Sequence, residues 1–195
     1  MKKFLLFIAF SLLTTSMYAE KIVATFTMSG TKRNIEAGID EKGALNVFIQ
    51  VVGEDSDYVM IRVTGEADIN KFITQLTYCK NKFIEWEQVA KSNNVSDFKK
   101  EIDATFPSVE VWWVGLEWWS SHKKDFINPV FVVNDGDAAF GTAGTATHWN
   151  NEFISQSFYI LFETANEVQT LIDALDIRKI KNALDREAQT NALFQ

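Results

Sequence analysis

Glu110, Trp112, Glu117 and Trp119 put two carboxylates and two large rings into one short stretch, and Trp149 follows on a later segment. Five of the six tryptophans belong to this region: Trp112, Trp113, Trp118, Trp119 and Trp149. Exposed rings of this kind can stack on the apolar face of a sugar while the acids accept hydrogen bonds from its hydroxyls. They can equally anchor a protein interface, where tryptophan is a frequent hot spot. Covered by another part of the chain, all five are core. A hydrolase built on paired carboxylates needs them about 5–9.5 Å apart. On one extended strand Glu110 and Glu117 stand about 23 Å apart, at ~3.3 Å per residue. Only a tight hairpin at Gly115 would close that gap, and neither Asn-Gly nor Asp-Gly marks one there. The stretch predicts binding and no catalysis.

The remaining reactive groups point to no second chemistry. Cys79 lies on an apolar helical stripe between Leu76 and Phe83, which predicts a small core hydrophobe and not a thiolate nucleophile. His122 and His148 fall in predicted loops with no second histidine one helical turn away, so neither begins a zinc site. Asn134, Asp135, Gly136 and Asp137 open like a calcium loop, but the twelfth position counted from Asp135 is Ala146, where a glutamate is needed. A turn is the expectation there. Gly141 and Gly144 lack the Lys-Ser/Thr pair of a phosphate loop, and no Gly-x-Ser-x-Gly elbow occurs. The expected complement of metals and cofactors is none.

Hydrophobic periodicity sets the elements around the cluster. Ile22, Ala24, Phe26 and Met28 recur at period two on one strand face, as do Ile35, Ala37 and Ile39, then Leu45, Val47, Ile49 and Val51, then Val59, Ile61 and Val63, and in three of these four segments the other face is largely polar. A turn over residues 40–43 ends on Gly43. Alternation of this kind predicts antiparallel strands covered on one face. The period then changes to 3.6, with Ile69, Phe72, Ile73, Leu76, Cys79, Phe83, Trp86 and Ala90 on one stripe. That is about 33 Å of helix, enough to cross several strands. In the second half, Ile154, Phe158, Ile160 and Phe162 precede a helix opened by Asn166 and Glu167, with the stripe Val168, Leu171, Ile172 and Leu175. The phase shift after Leu175 predicts a break near Asp176. Both stripes read apolar-x-x-apolar-apolar-x-x-apolar after a strand, which suggests an internal duplication.

Between the halves, residues 102–106 read as a strand, 109–119 as a long strand or bent hairpin, 130–133 as a short strand and 134–144 as a loop. A bulge at Gly115 turns Glu110, Trp112, Val114, Glu117 and Trp119 outward and Trp113, Leu116 and Trp118 inward, keeping both carboxylates in water. The expected fold class is α+β in two sequential lobes, 20–92 and 93–195, each an antiparallel sheet covered by one helix. The two lobes are free to pack as one domain.

The chain has 195 residues, 47% of them hydrophobic, and a net charge of −7. An acidic surface repels phosphate, so a nucleic-acid partner is excluded. A single cysteine excludes a disulfide framework. Lys2 and Lys3, the apolar run over residues 4–13, and Ala19 read as a signal peptide over residues 1–19, cleaved to leave Glu20 first. The run is half of the ~20 residues a membrane span takes, and no later stretch is longer, so no stable membrane insertion is expected. The sequence therefore predicts an exported protein, periplasmic or secreted. It would bind a protein partner or a second copy of itself through an aromatic sheet face, with glycan recognition by the same tryptophans as the alternative.

Overall fold

The computed structural model describes residues 21–115, 117–124, 126 and 129–192. The expected signal peptide and Leu116 lie outside them. Two strands, β1 (Lys21–Met28) and β2 (Thr31–Ile39), form a hairpin turned by Ser29 and Gly30 in the left-handed region. β3 (Leu45–Gly53) follows the predicted turn at Gly43, and β4 (Val59–Thr64) completes a meander. α1 (Glu66–Ser92) starts after Gly65, with Glu66 and Asp68 in its first turn, where their charge complements the helix dipole. It ends at Asn93, with Asn94 in the left-handed region and the Val95 amide closing on the Ala90 carbonyl at 3.0 Å.

β5 (Asp97–Glu101), β6 (Glu110–Val114), β7 (Trp118–Ser120), β8 (Val130–Asn134), β9 (Asp137–His148) and β10 (Asn151–Phe162) supply the rest of the sheet. The last two elements are α2 (Ala165–Ala174) and α3 (Ile177–Ala192), broken apart near Asp176 as the phase shift predicts. The fold is α+β with an antiparallel sheet, and the described residues make ten strands and three helices.

Two strand sets compose the sheet. β1-β2-β3-β4-β6-β7 form one in that order, and β5-β8-β9-β10 the other. They join where β10 pairs with the end of β3, Phe158 opposite Gly53 and Tyr159 opposite Val52. Farther along, Ser121, just after β7, bridges to His148 at the end of β9. The first set thus draws on both sequence halves, since β6 and β7 extend the first-half meander beyond β4, while the second set comes from the second half alone.

The helices are shared in the same way. Phe83 of α1 packs edge-on to Phe131 of β8, and its ring lies 5.8 Å from that of Phe140 on β9. The Trp86 ring also meets Phe131, at 5.7 Å. From the other half, α2 lies on β1, where Thr170 Oγ1 accepts the Thr27 amide at 2.9 Å. Thr164 caps α2 and accepts the Glu167 amide, while the Glu167 carboxylate accepts the Glu163 amide and, at 2.7 Å, that of Gly30 in the first hairpin. This Thr-x-x-Glu capping arrangement ties the last third of the chain to the first turn of the sheet. One hydrophobic cluster runs through both strand sets and all three helices, from Phe26 and Ile35 to Val168 and Ile180.

Two local expectations are corrected. Residues 134–144 are not a loop: Asp135 and Gly136 make a two-residue turn at positive φ, and β9 begins at Asp137. Its glycines and alanines have low strand propensity, but Gly141 is required there, because a Cβ would run into the Ile160 carbonyl. Residues 102–106 are not a strand, although Ile102, Ala104 and Phe106 are buried as the alternation implies. The strand is instead the charged segment β5 just before them.

Candidate functional site: the open face of β4, β6 and β7

Gly115 marks a hairpin and not a bulge in a continuous strand. The Gly115 amide donates to the Glu117 carbonyl at 2.9 Å, and β6 and β7 pair with Trp113 opposite Trp119 and Val114 opposite Trp118. Residues directly opposite in an antiparallel pair share a face. Trp118 therefore joins Val114 and Trp112 on the outer face, and Trp119 joins Trp113 on the core face, the reverse of the bulge assignment. Trp113 is 1% exposed, Trp119 is half-buried 6.3 Å from it, and Trp118 is 39% exposed. A side chain at position 115 would collide with the Trp119 ring, so glycine there lets that ring fold over the turn.

The hairpin still keeps the two glutamates apart. Glu117 lies across from Gly115 and Glu110 is five residues farther down β6, a separation of about 17 Å along the strand. Glu110 is occupied: its Oε2 accepts from Arg62 Nη1 at 3.0 Å and from Trp112 Nε1 at 3.1 Å. Glu117 is exposed at the tip.

Cross-strand register assembles the rest of the face. Glu36, Phe48, Arg62 and Glu110 form one row across β2, β3, β4 and β6. Gln50, Met60, Trp112 and Ser120 form the next, across β3, β4, β6 and β7. Phe48 and Met60 are 3% and 1% exposed yet stand outside the main hydrophobic cluster. They are the floor of a second, smaller apolar layer roofed only by side chains. The Arg62 guanidinium lies 5.8 Å from the Phe48 ring centre and 5.6 Å from that of Trp112, and Phe48 and Trp112 meet edge-on at 5.8 Å. Asn46 Oδ1 accepts from Arg62 Nε at 2.9 Å, which fixes the guanidinium from its other side. Tyr58 donates its hydroxyl to Glu36 Oε1 and packs edge-on to Trp118 at 5.5 Å. Burial pushes the Glu36 carboxyl above its ordinary value of 4.5. The outermost groups are Trp118 and Val114, held over this layer.

Trp149 is at the rim. Its amide donates to the Ser120 carbonyl at 3.0 Å, and its ring, 54% exposed, lies between His122 and His148 at 6.5 and 5.8 Å. His148 also faces the edges of Trp113 and Trp119. Past the turn, β10 carries extra residues between Asn151 and Ser155, and Phe153 is turned out to 90% exposure. Of the five candidates, the structure brings Glu110 and Trp112 into direct contact and sets Trp149 beside Ser120. It leaves Glu117 at the hairpin tip and sends Trp119 to the core side.

Glu36, Tyr58, Arg62 and Trp118 were not among the candidates. The available signal was an apolar residue on the polar face of two successive strands, Phe48 between Asn46 and Gln50 and Met60 beside Arg62. Elsewhere, Cys79 is buried and its thiol is pushed up to about 12 by burial. Among the described residues, no three His, Cys, Asp or Glu side chains are grouped as metal ligands, and no helix is long and apolar enough to cross a membrane. The chain matches no family model, no curated protein and no solved structure.

Proposed function

We propose that the chain is an exported protein of non-catalytic type whose open sheet face, centred on Trp118, Val114, Tyr58 and Trp112, receives a protein partner or a second copy of the chain. The observation that carries this reading is the exposure of Trp118 and Val114, 39% each, above a layer already fixed by hydrogen bonds. An aromatic anchor held in place before association loses little side-chain entropy when it is buried. Arg62 and Glu110 neutralise each other, so the surface is less repulsive than the rest of an acidic molecule. Export rests on residues 1–19 alone. The suggested duplication keeps one support, a meander followed by a helix in each half.

The glycan alternative is weaker because the groups a sugar would engage are already paired. Trp112 Nε1 and Arg62 both donate to Glu110, and the Tyr58 hydroxyl donates to Glu36. The test is sedimentation of residues 20–195 across a concentration range, beside photocrosslinking from position 114, next to Trp118 on the same face, in the producing cell. Self-association or a discrete protein adduct, each lost in Trp118→Ala, supports the reading. A strict monomer with no adduct, whose tryptophan fluorescence shifts with an oligosaccharide, overturns it in favour of the glycan alternative.

A further inference from the structure

At the far edge of the sheet, α1 and β5 leave an apolar pocket of about 330 Å³. Phe98 and Lys100 lie opposite Val133 and Phe131 in the β5–β8 ladder, so they share the face of those two core residues. β5 ends its strand set, and among the described residues no further strand continues that layer past Phe98 and Lys100. The C-terminal turns of α1 cross above them. Trp86, Val89 and Ala90 form one wall, Phe98 the other and Phe131 the floor, with Val95 closing the end. Val89 and Phe98 are 55% and 44% exposed, a cost that nothing in the described fold offsets. A cavity of about 150 Å³ holds a benzene ring, so this one has room for a ring with a short chain, or for a chain alone.

The charges at the mouth select the ligand. Lys100 Nζ lies 4.4 Å from the centre of the Trp86 ring. Among the described residues no carboxylate is within ion-pair distance of it. The one acid in the lining, Glu85, is held by Lys82 at 2.8 Å. The pocket therefore offers apolar walls and one cation without an anionic partner. We propose that it binds a small amphipathic monoanion, an aryl or short alkyl carboxylate, with the apolar body between Trp86 and Phe98 and the carboxylate on Lys100. A charge-assisted contact to a lysine adds affinity and orients the ligand head outward.

This site lies on a different face from Trp118 and stands or falls separately. The probes are 1-naphthoate and its neutral counterpart 1-naphthalenemethanol, titrated calorimetrically into residues 20–195. Naphthoate is expected to bind saturably at one site, with affinity falling as salt rises. Lys100→Gln should weaken naphthoate about tenfold and leave the alcohol unchanged, since only the charged contact is removed. Val89→Trp, at an exposed position that tolerates a larger side chain, should fill the mouth and abolish both. Trp118→Ala should change neither. Absence of saturable naphthoate binding overturns the proposal, as does equal binding of both probes with no effect of Lys100→Gln. Loss of binding in Trp118→Ala also overturns it, by assigning the probe to the other face.

Discussion

Trp113 and Trp118 are neighbours on one hairpin with opposite surroundings. Trp113→Ala removes a fully buried ring and is expected to cost about 3–5 kcal/mol in urea unfolding. Trp118→Ala should cost no more than about 1 kcal/mol, the scale of one edge-on contact with Tyr58. A Trp118 loss as large as that of Trp113 would mean the outer layer is structural and not a docking surface. Glu36 makes a pH prediction with a definite sign. Its carboxyl is pushed up by burial, so the native state favours the neutral form more than the unfolded state does. The stability it contributes is full below about 4.5, the unfolded value, and fades as pH rises through the native one. Glu36→Gln stays neutral throughout, so its melting temperature should gain on that of the wild type as pH increases from 4 toward 8. A gap independent of pH would refute the assignment. The Cys79 thiol, buried and pushed up to about 12, should react with a disulfide reagent only after unfolding.

At the scale of elements, β9 and β10 depend on one close approach. Gly141→Ala sets a methyl against the Ile160 carbonyl, which is backbone and cannot rotate away. We expect a loss of about 1–3 kcal/mol, with faster amide exchange confined to β9 and β10. Unchanged exchange there would show that the two strands part more easily than their register suggests. The elements readable in sequence were those whose pattern is driven by burial. β1 to β4 alternate because one face meets the core, and α1 keeps its 3.6 period for the same reason. β5 was missed because its residues are charged and exposed, and β9 because glycine and alanine carry little strand signal. The site was half legible. Composition located the tryptophans, but which of them face outward depends on where the chain reverses. Moving from a bulge to a hairpin at Gly115 exchanges Trp118 and Trp119 while leaving Trp112 and Trp113 where they were. Phe48 and Met60 carried a signal of their own, as apolar residues on the otherwise polar face.

In the whole molecule, neither half owns its covering. α1, from the first half, lies against Phe131 and Phe140 of the second, and α2, from the second, lies on β1. Residues 20–92 alone would keep a four-stranded meander whose far edge lacks α2 and whose third strand lacks β10. That fragment is expected to show no cooperative melting, and a sharp transition would restore the lobes as separate folding units. The same exchange of helices has a temporal side. Glu167 must reach back to Gly30, so the first hairpin is unsupported until nearly the whole chain has been made. Contacts so far apart in sequence make for slow, late folding. A nascent chain that cannot close its core early remains threadable, the state that the export proposed above would require.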